Sequence, residues 1–317
     1  MSRKIRHLPR EGALAEVTVR TIQERHLLRP ADEVNEIIIG VFVRALELYP
    51  VELVGIVFMS NHFHAIVKAH DVGVLSRFMC FVNGNLAREV GRLHGWKQKF
   101  WGGRYRMIPI SDEEAAQVAR LKYLLSHGAK EGLVACPLDW PGVHCAASLL
   151  TGIPMQGRWL DRTAAYKARQ RDKSASLDQF SKEGFLHFEK LPCWAHMVDE
   201  EYRREIAHLL DEIRREAADI RRCESIPLRS RRKARRALCR INPRSRPASP
   251  KQGPAPFCHA STRGAREELR QAYRHFVDAY RAAASALRQG NADVTFPEGC
   301  FPPGLPFVPI EPRPAGG

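Results

Sequence analysis

The chain has 317 residues, 44% of them hydrophobic, with 50 Lys or Arg against 35 Asp or Glu and a formal net charge of +15. That is enough apolar chain for one large or two modest cores, and the charge points to a polyanionic partner. With no run of eighteen apolar residues, no apolar core behind Met1 and no Cys-x-x-Cys pair, the composition argues against a membrane-spanning, secreted, disulfide-framed or zinc-ribbon protein; a soluble, cytoplasmic chain with free thiols is expected.

The first 150 residues alternate two periods. Residues 14–21 read as a strand, and residues 31–48 as a helix with Val34, Ile37, Ile38, Val41, Phe42 and Ala45 on its apolar side. Strands follow at 51–59 and 61–68, joined by a tight turn. Val74, Leu75, Phe78, Met79, Val82, Leu86 and Val90 mark a second helix, and residues 104–110 a last strand. Ser111 and Glu114 have capping-box spacing and open a helix expected to run to His127, with Gly128 ending it and Val118, Leu121 and Leu125 as its buried stripe. The order β-α-β-β-α-β is that of a ferredoxin-like (split βαβ, RRM-like) α+β fold. It predicts an antiparallel sheet with helices on one face and the other face open to a ligand.

Beyond residue 150 the chain is expected to be mainly helical and basic. Residues 151–198 read as a loop-rich connector and 199–295 as a helical DNA-binding region. The latter holds helices over 200–220 (Tyr202, Ile206, Leu209, Leu210, Ile213, Ala217 inward) and 265–287 (Leu269, Tyr273, Phe276, Tyr280, Leu287). Between them, residues 221–246 carry eleven Lys or Arg against one acid. Residues 296–317 form a Pro/Gly-rich tail.

Chemistry gathers at two places. His62 and His64 flank Phe63 on a strand, so both imidazoles share one face, at a spacing a single metal ion can bridge. Sixty residues on, Tyr123 and His127 lie four apart on a helix, away from its apolar stripe, and so are neighbours. One site shared by the four would account for both pairs; half-exposed strand histidines and a chance pairing on the helix are the alternatives. Cations at Arg77, Arg88, Arg92, Lys97, Lys99, Arg104 and Arg106 interleave with Trp96, Phe100, Trp101 and Tyr105, and Arg231, Arg232, Lys233, Arg235 and Arg236 concentrate in the basic run. Cations hold phosphates while aromatics stack on unpaired bases, so single-stranded or distorted nucleic acid is the expected partner, with packing of Trp96 and Trp101 into the core and a merely solvated basic run as the alternatives.

Met59-Ser60-Asn61-His62-Phe63-His64, Trp101-Gly102-Gly103-Arg104-Tyr105-Arg106, Lys122-Tyr123, Glu131-Gly132-Leu133-Val134 and Pro137-Leu138-Asp139-Trp140-Pro141 occur in that order. Together they resemble the REP-associated tyrosine transposases of the HUH single-tyrosine superfamily, over about residues 12–150. The resemblance implies His62 and His64 as metal ligands, Tyr123 as nucleophile and Mg2+ or Mn2+ as the ion. It also implies a polar residue one helical turn after the tyrosine completing the metal site, a position held here by His127. The Asn-Pro pair usual after that tyrosine is replaced by His127-Gly128. The activity implied is nicking and rejoining of single-stranded or hairpin DNA through a 5′-phosphotyrosine, by a monomer or a homodimer. Two alternatives stand beside it: a domesticated, non-cleaving nucleic-acid-binding protein with an RRM-like sheet, and a metal-dependent hydrolase in which water attacks. Tyr105, between two arginines, is the competing nucleophile.

Overall fold

The computed structural model describes residues 5–9, 12–225, 230–248, 256–291, 293–298 and 300. β1 (Leu14–Arg20), β2 (Val51–Phe58), β3 (His62–Ala69) and β4 (Arg106–Pro109) form one antiparallel sheet in the order β2-β3-β1-β4. Helix α1 (Asp32–Leu48) follows β1, and α2 (Val72–Leu93) follows β3. This is the split βαβ arrangement of the α+β class.

The pleat decides which side chains meet. Phe63 points into the layer of α1 and α2, where it stacks on Phe58 at 4.6 Å and meets Phe42 of α1 edge-on at 6.1 Å; Phe42 in turn meets Phe78 of α2 at 5.9 Å. All four rings are fully buried, and each is worth about 2–3 kcal/mol removed from water. Asp71 caps α2 by accepting from the Val74 N–H at 2.8 Å. His62 and His64 therefore point to the opposite face.

That second face is only partly open. Helix α3 (Glu114–Leu125) crosses its β2–β3 half, with Leu121 and Leu124 set over Gly55. The expected capping box does not form. Glu113 stands at the helix N-cap, and its carboxylate accepts from the Ser111 hydroxyl at 2.7 Å and from the N–H groups of Ser261 and Thr262 at 2.9 and 3.1 Å. Glu114 instead accepts from the Trp194 indole at 3.0 Å. Tertiary donors have taken both carboxylates from the local motif. The helix also stops at Leu125, leaving His127 in the turn that follows, where Gly128 takes φ +84°.

The stretch read as a loop-rich connector contains a second, two-stranded sheet, β5 (Met155–Leu160) with β6 (Ser181–Leu186), joined through α5 (Arg162–Arg171) and lying on α1. Glycines make the contact possible: a Cβ on Gly40 would lie 2.0 Å from the Arg158 carbonyl oxygen, and one on Gly157 2.6 Å from Ile39. These strands bury backbone rather than alternating apolar side chains, so they leave little periodicity to read.

Helices α4 (Ala146–Thr151), α6 (Asp199–Cys223), α7 (Arg231–Cys239) and α8 (Arg263–Arg288) complete the described chain. Helix α6 buries the six residues expected of it and packs on α3 and α4. Helix α8 is held more lightly, burying Phe276 and Ala283; His7 stacks on Phe276 at 4.1 Å, and the Tyr273 hydroxyl donates to the Ile5 carbonyl at 3.1 Å. Residues 226–229 of the basic run and 301–317 of the tail lie outside the described residues. All eight cysteines are free thiols, and among the described residues no helix is long and apolar enough to cross a membrane.

Candidate active site

His62, His64 and His127 converge where β3 faces the end of α3. One ligand atom from each lies within 4.8 Å of the others. Their ring centroids are 5.1 Å apart for His62–His64, 4.6 Å for His64–His127 and 6.0 Å for His62–His127. In each ring Nδ1 faces an oxygen acceptor: Asn61 Oδ1 at 2.6 Å for His62, Glu16 Oε1 at 2.5 Å for His64 and the Leu124 carbonyl at 3.1 Å for His127. Nδ1–H donates in all three, leaving Nε2 as the candidate ligating atom of each ring, the usual arrangement of a ligating histidine; at His127 that atom also lies 3.3 Å from Lys130 Nζ. Burial holds His64 below the ordinary histidine range despite the Glu16 carboxylate. Burial, followed by the neighbouring His64, Lys130 and His62, holds His127 well below it. Neutral imidazoles are what a divalent ion requires, and three nitrogen donors suit Mn2+ better than Mg2+.

Glu16 sits beneath this cluster at 1% exposure. Its Oε1 accepts from His64 and from the Arg120 guanidinium at 2.5 Å, and its Oε2 accepts from His259 Nε2 at 2.7 Å. Burial alone would raise its carboxyl, but the hydrogen bonds from His259 and His64, with Arg120 beside them, hold it far below the usual carboxylate range. A buried carboxylate with three donors is a stable anion.

Tyr123 lies at the mouth of the cluster, 38% exposed. Its ring is 4.9 Å from His127, nearly perpendicular, and 6.1 Å from His64. Two cations sit over that ring, Arg120 Cζ at 3.7 Å and Lys130 Nζ at 3.3 Å from the centroid. The i, i+4 neighbourhood of Tyr123 and His127 thus survives, although His127 is only 2% exposed and belongs to the buried wall.

The expected cations divide between the two sides of the sheet. Arg106 pairs with Thr18, which pairs with His64, so Arg106 shares the site face, on the half that α3 leaves uncovered. Arg20, opposite His62, joins it there. Arg77, Arg88 and Arg92 are exposed on α2, in the layer behind the sheet, and Arg104, Lys97 and Lys99 are exposed on the loop before β4. Helix α7 buries Ala234 and Leu238 and presents Arg231, Arg232, Lys233, Arg235 and Arg236 to solvent. It docks beside the turn that precedes His62: the Arg29 guanidinium donates to the Cys239 carbonyl, His26 N–H donates to the Ser245 carbonyl at 3.0 Å, and Leu28 N–H donates to the Ser60 carbonyl at 2.9 Å.

Among the described residues the expected stacking aromatics are largely drawn into the fold. Tyr105 is 7% exposed beneath the Arg6 guanidinium, away from the histidine cluster's mouth where Tyr123 lies, and Phe100 is buried. Trp101 packs on Phe63 and Phe100, its indole N–H donating to the Asn83 carbonyl at 2.9 Å. Trp96 is half-buried with Arg25 near its ring. The core claimed these rings because the loop before β4 folds back over α2.

Reading the sequence also missed residues. Glu16, Thr18 and Arg20 alternate with the buried Ala15, Val17 and Val19, a period-2 pattern that marks them as sharing one face of β1. Arg120 stands one helical turn before Tyr123. For Lys130, in a turn, and His259, far along the chain, no local signal exists.

Two solved structures resemble the fold. A REP-associated tyrosine transposase bound to a REP hairpin is 18% identical, with a TM-score of 0.38, over 47% of this chain and 86% of that one. A candidate transposase from Deinococcus radiodurans R1 is 19% identical, with a TM-score of 0.27, over 35% of this chain and 89% of that one. No curated protein matches the sequence. Residues 15–124 match the family model described as transposase IS200 like. That segment, which carries the four-stranded sheet, α1, α2 and Tyr123, is similar to the IS200-like transposases.

Proposed function

We propose that this chain nicks and rejoins single-stranded or hairpin DNA, with Tyr123 as nucleophile and His62, His64 and His127 holding a divalent ion, Mg2+ or Mn2+. The observation that carries the reading is the convergence of His62, His64 and His127 within 4.8 Å of one another beside an exposed tyrosine, with His62, His64 and Tyr123 inside the segment that matches the transposase model. When bound, the ion supplies Lewis-acid polarisation of the scissile phosphate. Tyr123 Oη forms a bond to phosphorus as it loses its proton; the phosphorus–O3′ bond breaks, and O3′ leaves as a hydroxyl. The product is a 5′-phosphotyrosine that conserves the bond energy, so a 3′-hydroxyl can reverse the step without a nucleotide cofactor. Arg120 and Lys130 place positive charge where the phenol and the phosphate develop negative charge. Arg20 and Arg106 on the open half of the sheet, with the cations of α7, follow the phosphate backbone. One nucleophile per chain means that two cleavages require two subunits or successive turnovers.

The test is incubation of the full chain with hairpin and single-stranded oligonucleotides, 3′-labelled, with Mn2+ or Mg2+. A covalent protein–DNA band is expected from the wild type and none from Tyr123→Phe. Binding without any adduct would support the non-cleaving reading, and cleavage without an adduct would support water as the attacking group.

A further inference from the structure

The fold brings a residue from far outside the transposase segment into contact with the candidate metal site. Residues 258–262 run along the free edge of β4. His259 N–H donates to the Pro109 carbonyl at 2.9 Å, Ser111 N–H donates to the His259 carbonyl at 2.8 Å, and His259 forms a parallel bridge with Ile110. From that edge the imidazole reaches across the sheet face to Glu16 Oε2, 2.7 Å away. Two residues on, Ser261 and Thr262 N–H groups donate to the Glu113 carboxylate at the start of α3. One short segment therefore clasps both carriers of the site, the sheet that holds His64 and the helix that holds Tyr123.

We propose that His259 is a positioning residue for the metal centre, acting through Glu16 on His64; this rests on the reading of His62, His64 and His127 as ligands. Glu16 Oε1 is already shared between His64 Nδ1 and Arg120, so Oε2 depends on His259. At 1% exposure no solvent replaces a missing donor. Without His259 the carboxylate relieves the deficit by turning toward Arg120. That turn loosens the bond that fixes the His64 ring and directs its Nε2 into the cluster. Outer-shell partners of this kind typically govern metal affinity by about 10–100-fold. The C-terminal half of the chain thereby becomes part of the active site rather than an appended DNA-binding arm.

The test uses an isosteric pair in the full chain, His259→Gln and His259→Met. Both side chains fill the space, but only glutamine can donate to Glu16. Binding is read with Co2+ alone, by its visible absorption band and by titration calorimetry. Expected are wild-type-like affinity and spectrum for His259→Gln, and for His259→Met affinity about 10–100-fold weaker with a shifted band. If both variants match the wild type while His64→Ala abolishes binding, the metal centre stands and the role of His259 is overturned. If the wild type binds no Co2+, the metal reading fails and this inference with it. If both variants weaken binding equally, His259 acts by its shape and not through donation to Glu16, which also overturns it.

Discussion

Lys130 Nζ lies 3.3 Å from Nε2 of His127, the atom that would ligate an ion, and 3.3 Å from the centroid of the Tyr123 ring. A single ammonium thus faces both the metal position and the nucleophile. Its charge opposes a cation at His127 and attracts the negative charge that develops on a phosphate attacked by Tyr123. Lys130→Met should bind Mn2+ about three- to tenfold more tightly yet form the DNA adduct more slowly. Calorimetry and single-turnover kinetics report the two effects separately, and an unchanged Mn2+ affinity would refute the opposition.

Arg120 couples Glu16 to Tyr123. It donates to Glu16 and lies over the Tyr123 ring. Arg120→Lys keeps the charge but not the planar fork that serves both. Single-turnover adduct formation should fall by about a hundredfold, roughly 2.7 kcal/mol of barrier, with the fold intact by circular dichroism. A decrease below about threefold would show that the ring contact is incidental.

Stability should fall in mild acid because of His144. Its Nε2–H donates to the Leu125 carbonyl at 3.2 Å, while its Nδ1 accepts from Ala146 N–H at 3.1 Å, so only the neutral ring satisfies both. Burial pushes it down to about 4. A histidine depressed in the folded state contributes stability that is complete above the unfolded value near 6.5 and is lost as pH falls toward the folded value. Between those limits the loss should approach about 3 kcal/mol. Denaturant midpoints measured across this range for the wild type and His144→Gln should converge at low pH; parallel curves would exclude His144 as the cause.

The small sheet depends on close backbone approach to α1. Gly40→Ala would set a Cβ 2.0 Å from the Arg158 carbonyl oxygen, and neither backbone can yield cheaply. A loss of about 3 kcal/mol is expected, with proteolysis first within residues 155–186 and Co2+ binding retained. Wild-type stability would mean that the β5–β6 sheet rides loosely on the helix.

Neutralising the exposed face of α7 separates its charge from its packing. Ala234 and Leu238 are buried and residues 259–262 brace the site, so deleting the C-terminal half would damage the core. Substituting Arg231, Arg232, Lys233, Arg235 and Arg236 with Gln leaves that packing in place. The slope of log affinity against log salt for hairpin DNA should drop by at least about 2, at roughly 0.7–0.9 for each phosphate no longer neutralised. An unchanged slope would place the DNA elsewhere.

Much of this was legible in the sequence because it is local. Strand and helix periods gave the four strands, α1, α2 and the buried side of α6; period 2 put His62 and His64 together, and period 3.6 put Tyr123 beside His127. What escaped depends on partners distant in the chain. Ser111 and Glu114 have capping-box spacing, but Ser261, Thr262 and Trp194 occupy the acids of that turn. Aromatics beside cations suggested stacking on bases, yet Phe100, Trp101 and Tyr105 were needed by the core. The β5–β6 strands, seated by glycines, carry no apolar alternation to detect.

The central claim is a covalent bond from one tyrosine to DNA, and peptide mapping of the trapped adduct tests it most directly. After nuclease and protease digestion, mass spectrometry should find the nucleotide 5′-phosphate on the peptide that contains Tyr123. A nucleotide on the Tyr105 peptide, a 3′-phosphate linkage, or cleaved DNA with every tyrosine unmodified would contradict the account.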